Sequence, residues 1–188
     1  DAFGDDEINS QRMLKAIAQF TGTLISANAK YDKVKKGQEK FNASEQRGEV
    51  IFLSKCASCH TPPLFTDFTY RNTGLIPNPQ LNDKGRMTIT QNPNDAYKFK
   101  VPSLRNVAVT FPYMHDGRFK TLEEVIEHYS NGIQNHPNLD GRLKDEYGRA
   151  MRMNISDNEK QALVAFLNTL TDYAMLSEPK YSNPFKTK

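Results

Sequence analysis

Cys56-Ala57-Ser58-Cys59-His60, CASCH, contains both cysteines of this 188-residue chain. A disulfide between residues three apart would be a redox device rather than a staple, and a thioredoxin-type pair follows a strand in a βαβ unit. Here the pattern reads as helix before the motif and loop after it. A structural zinc site wants four ligands. Two cysteines and His60 supply three, and His60 directly adjoins Cys59, which hampers tetrahedral closure. One reading of C-x-x-C-H uses all three residues: attachment of a c-type haem. Cys56 and Cys59 then form thioethers to the vinyl edge, and His60 is an axial ligand to the iron. Such attachment needs maturation machinery and an oxidising compartment, so a periplasmic or otherwise extracytoplasmic location is expected.

The segment leading into CASCH reads as a helix from an N-cap at Ser44 to about Lys55, with Gly48, Ile51 and Phe52 on its buried face. Gly48 suits a close approach to the last helix. Further upstream, residues 5–27 read as helix, with Met13, Ile17, Phe20 and Leu24 forming an apolar stripe. Residues 28–43 are a polar, lysine-rich connector. Residues 61–118 are punctuated throughout by proline, glycine and asparagine. A loop region of that length implies that it wraps something, because a large rigid ligand offsets the entropy lost on ordering it.

Two capping boxes mark the remaining helices, Thr121 with Glu124 and Ser156 with Glu159. Leu122, Val125, Ile126 and Tyr129 share one face of the first; Leu163, Phe166, Leu167 and Leu170 share one face of the second. Residues 174–188 carry two prolines and no period, and read as an arm or a disordered tail. The expected fold is all-α, a cytochrome c-like domain with long loops wrapping a covalent haem. It divides into a first helix and connector (1–43), which the resemblance described below makes an inter-domain linker, the haem domain (44–173) and the arm (174–188).

Composition agrees. Hydrophobic residues make up 37% and charged residues 25% of the chain, a lean core that a cofactor would complete. The net charge of +3, with both signs interspersed, does not point to nucleic acid. No stretch approaches a membrane span. The sequence starts at Asp1 without a signal-peptide pattern, as a mature or trimmed product or a fragment would.

Three stretches, RGEVIFLSKCASCH (47–60), FKVPSLRNVAVTFPYMHDGRFKTLEEVIEHY (99–129) and LVAFLNTLT (163–171), together resemble the bacterial di-haem cytochrome c peroxidases and their MauG-like relatives. AIAQFTGTLISANAKYDK (16–33) resembles the segment linking the two haem domains of that family. The resemblance covers the C-terminal half of the family pattern and implies a division of labour. One haem, on the N-terminal half, handles hydrogen peroxide, using a histidine and a glutamate of that half, with a tryptophan between the haems. The other, on the half seen here, takes electrons from a donor protein such as a small cytochrome or cupredoxin. This stretch alone is therefore not expected to be a competent peroxidase. The partners implied are the N-terminal peroxidatic domain, the donor and hydrogen peroxide; the family often forms homodimers.

In the peroxidases, the second axial ligand is a methionine fourteen residues beyond the histidine of the HDG motif. Here that histidine is His115, and the position holds Tyr129, as in the MauG-like branch. A thioether favours ferrous iron, whereas a phenolate favours ferric or higher-valent iron and lowers the potential. Tyr129 also fits as the last residue of a core stripe. Met114 is the rival ligand; Met87, Met151 and Met153 are weaker ones. His128, about 100° round the helix from Tyr129, is expected to point elsewhere, and His136 to be solvated.

The resemblance further places Arg105 near the haem propionates and His115 in the haem environment. It puts Thr110 and Pro112 at a calcium site between the domains, where backbone carbonyls donate. Calcium wants six to eight oxygens, so weak or no calcium binding is expected of this chain alone. The function implied is electron transfer for reduction of hydrogen peroxide to water. The alternatives are a MauG-like high-valent haem oxidase domain and a stand-alone monohaem electron carrier. A haem-free form held together by its helices is a third.

Overall fold

The computed structural model describes residues 3–183 and 185; the ends of the expected linker and arm, residues 1, 2, 184 and 186–188, lie outside them. The first helix, α1 (Ser10–Gly22), starts where the Asn9 side chain accepts the Arg12 N–H at 2.9 Å. It is shorter than its apolar pattern predicts. Met13 (55% exposed), Ile17 and Phe20 stay on the surface, and no residue of α1 is buried. The stripe is real, but within the described residues it covers no core.

A short helix, α2 (Lys30–Lys35), occupies the expected connector. Its first turn is held by Asp32, whose carboxylate accepts the Ala29 N–H at 3.0 Å. Helix α3 (Ala43–Lys55) is capped by Asn42, two residues before the expected cap. Asn42 Oδ1 accepts the Glu45 N–H at 2.9 Å, and the Glu45 carboxylate accepts the Asn42 N–H at 2.8 Å. This reciprocal pair satisfies two of the helix's free donors and leaves Ser44 inside the first turn.

The long loop region contains one short helix, α4 (Met87–Thr90), and two strands of two residues each. These are β1 (Tyr70–Arg71) and β2 (Phe99–Lys100), paired antiparallel with Arg71 opposite Phe99. Helices α5 (Leu122–Glu127) and α6 (Asp157–Asn168) begin at the two predicted capping boxes. Beyond Glu127 the backbone widens into a π-type turn over His128–Gly132. The chain closes with α7 (Tyr173–Leu176) and a 3-10 turn at Pro179–Tyr181. The arm is not free: the Tyr181 ring packs edge-on against Phe20 at 6.2 Å, and its hydroxyl donates to the Thr23 carbonyl.

Helices α3 and α6 cross at Gly48. A Cβ there would stand 2.0 Å from the Ala162 carbonyl oxygen and 2.8 Å from Phe166 Cβ, so only glycine permits the crossing. Ile51 and Phe52 of α3 then meet Leu163, Phe166 and Leu167 of α6 in one buried cluster, completed by Leu170 and by Tyr31 of α2. Aromatic rings carry its centre: Phe52 lies 5.1 Å from Phe166, and Tyr31 lies 4.9 Å from Phe65. Burying each such ring contributes roughly 2–3 kcal/mol. The result is the expected mostly helical, cytochrome c-like domain.

Candidate functional site

Beside the crossing of α3 and α6 lies a cavity of about 450 Å³. Its walls are mostly apolar side chains from α3, α5 and α6 and from loops around residues 99–115 and 140–143. The volume falls in the range of cofactor pockets.

CASCH forms one wall. Cys56 is the C-cap of α3, its N–H donating to the Phe52 carbonyl at 2.8 Å. The N–H groups of Cys59 and His60 both donate to the Cys56 carbonyl, at 3.2 and 2.9 Å. This turn lets Cys56, Cys59 and His60 all line the cavity. The cysteines are unbridged, and no group of three or more His, Cys, Asp or Glu converges as a metal site among the described residues. A disulfide and a zinc clamp therefore have no support in the geometry. Burial pushes the Cys56 thiol up to about 12, so it rests protonated.

His60 is oriented from behind. Its Nδ1 lies 3.0 Å from the Phe65 carbonyl oxygen and donates to it, which leaves the Nε2 lone pair as the ligating atom. Burial lowers the His60 pKa, outweighing the opposing pull of the Phe65 and Pro102 carbonyls, and so favours the neutral imidazole that a metal needs.

Tyr129 lines the same cavity, although the α-helical turns end two residues before it. Burial, followed by the nearby Cys56 and Cys59, raises its pKa, so the phenol keeps its proton until a cation stabilises the phenolate. Met114 also lines the cavity, from a left-handed backbone position (φ 69°), and Met153 does so from the segment before α6. His128 turns away, its Nε2 2.9 Å from the Thr73 carbonyl oxygen. His136 is more engaged than a solvated histidine: its Nδ1 accepts the Asn138 N–H at 3.0 Å and lies 3.1 Å from Asn72 Nδ2.

Arg105 is not among the residues that line the cavity. Its guanidinium grips Asp32 at 2.9 and 2.8 Å, and its Nε donates to the Pro63 carbonyl at 3.0 Å. His115 does line the cavity, stacked on Phe99 at 3.7 Å with the rings nearly parallel. Thr110 and Pro112 stand on its exposed rim. A charged residue of the cavity wall that the sequence reading did not single out is Arg71, on β1. The only local signal is a basic residue in the aromatic stretch FTYR.

These residues fit a c-type haem. The cavity has apolar walls for a flat macrocycle, two thiols and an oriented imidazole on one wall, and a phenol and a thioether within the same space. It also has a buried guanidinium nitrogen, Arg71 Nε, that lacks a partner.

Comparison with known proteins agrees. Residues 1–40 match the family model described as di-haem cytochrome c peroxidase, and residues 45–171 match the cytochrome c model. The methylamine utilization protein MauG of Methylorubrum extorquens is 37% identical over 175 residues, which are 90% of this chain and 47% of that protein. The cytochrome c551 peroxidase of Nitrosomonas europaea is 35% identical over 173 residues, again 90% of this chain and 47% of its own length. Among solved structures, a MauG-like protein associated with microbial copper homeostasis superposes with a TM-score of 0.79 at 34% identity, covering 96% of this chain and 62% of that one. The diheme peroxidase BthA of Burkholderia thailandensis gives 0.59 at 27% identity, covering 77% and 46%. The chain spans about half the length of the curated relatives it matches. With its cytochrome c domain at residues 45–171, the chain belongs to the di-haem cytochrome c peroxidase and MauG family.

Proposed function

We propose that this chain is the electron-transfer haem domain of a di-haem peroxidase-type oxidoreductase, serving the reduction of hydrogen peroxide to water. The observation that carries the reading is the convergence of Cys56, Cys59, His60 and Tyr129 on one mostly apolar cavity. A covalent haem bound there supplies a one-electron ferric/ferrous couple. The chain's own residues do the rest. Cys56 and Cys59 anchor, His60 presents Nε2 while Phe65 fixes its tautomer, and the apolar walls exclude water. Peroxide chemistry is assigned to a second haem domain, and electrons to a donor such as a small cytochrome or cupredoxin, in an extracytoplasmic compartment.

A second reading, a MauG-like oxidase of another substrate, is favoured by Tyr129. Tyr129 bound to the iron as phenolate would lower the potential and favour oxidised iron, which would suit storage of oxidising equivalents better than acceptance from a high-potential donor.

Visible spectra of the ferric and reduced protein, alongside Tyr129→Phe, test the site. A c-type Soret band whose ferric spectrum changes in Tyr129→Phe supports the phenolate. A methionine-to-iron charge-transfer band, unchanged in Tyr129→Phe, sinks that assignment and points to Met114. Absence of any Soret band after expression with maturation machinery overturns the haem reading. Peroxide turnover measured with and without a second haem polypeptide separates the oxidoreductase domain from a stand-alone carrier: the domain turns over only with its partner.

A further inference from the structure

We infer that Arg71 receives a haem propionate, the role that Arg105 is too committed to fill. The inference rests on the haem reading above. Arg71 enters the cavity wall from β1, opposite Phe99 in the two-stranded ladder. Its two terminal nitrogens are occupied: one bonds Asp140 at 2.6 Å and the other pairs with Asp67. Both carboxylates and the guanidinium are largely buried, at 17%, 14% and 12% side-chain exposure for Asp67, Asp140 and Arg71. Of the three guanidinium nitrogens, only Nε has no partner. It is buried, it is a full donor, and nothing accepts from it.

A buried N–H without a partner is unfavourable and calls for an explanation. The other two buried side-chain atoms left without partners, Ser26 Oγ and Thr171 Oγ1, belong to residues that do not line this cavity. Among the described residues, Arg71 alone combines an unmet donor with a place in the cavity wall. The group that would meet it needs an acceptor, a negative charge and a position at the edge of an otherwise apolar body. A propionate has all three.

The surrounding charges agree. Lys55, Arg71, Lys100 and Arg142 line the cavity with Asp140, and Asp67 pairs with Arg71, so positive side chains outnumber the carboxylates there. A propionate would offset part of that excess. Arg142 is a weaker candidate for the contact: its side chain is 48% exposed and lies 3.8 Å from Asp140. Lys100 is turned over the Phe68 ring. Asp67 and Asp140 hold the guanidinium by its two ends, so that it is oriented before the haem arrives. This preorganisation makes Arg71 a positioning residue for the cofactor.

The test uses the holoprotein, matured with covalent haem, as wild type, Arg71→Lys, Arg71→Gln and, for comparison, Arg105→Lys. Two readouts are taken: the propionate bending mode in resonance Raman spectra and the midpoint potential. Arg71→Gln is expected to shift the propionate mode and lower the potential, because removing a cation stabilises ferric iron. Arg71→Lys keeps the charge but loses the directed Nε–H. It should restore most of the potential while its propionate mode stays shifted, a split that a purely structural role would not produce. Arg105→Lys should leave the propionate mode unmoved. If Arg71→Gln does not fold, Arg71→Lys decides alone by its Raman mode. A wild-type propionate mode in a haem-bearing Arg71 variant overturns the assignment to Arg71 and leaves the haem reading standing. A wild-type protein that carries no haem overturns both.

Discussion

Arg105 and Asp32 meet in a two-point ion pair, with nitrogen–oxygen distances of 2.9 and 2.8 Å and both side chains 11% exposed. The pair ties α2, close to the chain's start, to the loop behind the haem motif. Arg105→Ala would leave a buried carboxylate without its counter-ion, at a cost of about 3 kcal/mol. Asp32→Ala should also destabilise, and the double variant should lose less than the two singles together. Urea unfolding of the four proteins measures this; additive losses would show that the pair is not coupled.

Gly48→Ala tests the helix crossing. The added methyl would stand 2.0 Å from the Ala162 carbonyl oxygen, so α3 and α6 must separate or the backbone must bend. Overpacking of this kind costs about 2–3 kcal/mol, a fall in Tm of roughly 4–12 °C for a domain of this size. Thermal unfolding followed by circular dichroism reads the loss, and an unchanged Tm would refute the crossing geometry.

Asp172 predicts acid sensitivity. It is buried at 2% exposure, and its carboxylate accepts the N–H groups of Ala27, Asn28 and Met175 at 3.0, 2.8 and 3.0 Å. Burial alone would raise its pKa; the backbone donors outweigh it and hold the pKa below the ordinary value. A depressed carboxyl adds stability that is complete above the unfolded pKa, near 3.9, and is lost as pH falls through the lower folded value. Asp172→Asn should flatten that acid limb and cost about 2 kcal/mol at neutral pH. Unfolding free energies between pH 2 and 7 check both.

Calcium should not stabilise this chain. Thr110 and Pro112 offer backbone carbonyls on an exposed rim, but no cluster of three or more acidic or other ligating side chains stands among the described residues. Calcium wants six to eight oxygens. Tm in calcium should equal Tm in a chelator; a calcium-dependent rise would contradict this.

Local signals were readable wherever local chemistry decides the structure. Thr121–Glu124 and Ser156–Glu159 satisfy their helices' free donors within four residues, so both helix starts could be placed from spacing. Asn42–Glu45 follows the same rule with asparagine in the capping role, which is why Ser44 looked like the cap. Helix α2 could not be seen because six residues carry too little period, and Arg105, 73 positions away, helps hold it. The α1 stripe shows the limit of periodicity: Met13 and Ile17 repeat correctly, yet amphipathicity alone does not name the surface that covers a helix. The candidate site divides in the same way. CASCH and Tyr129 follow from motif and offset. Which arginine keeps a free donor toward the cavity depends on partners distant in sequence, Asp32 for Arg105 and Asp140 for Arg71, and no short stretch of sequence records that.

The contact between Gly48 and Ala162 also shapes how the molecule holds together topologically. It joins two helices separated by on the order of a hundred residues, and the intervening chain, with its loops around the cavity, is a closed loop pinned at one crossing. The entropy of closing such a loop grows only slowly with its length, so insertions at its exposed outer bends, such as residues 77–84, weaken the clasp little. A protease cut at those bends opens the ring without parting its ends. The nicked protein should migrate as one particle under native conditions and as two fragments only after denaturation.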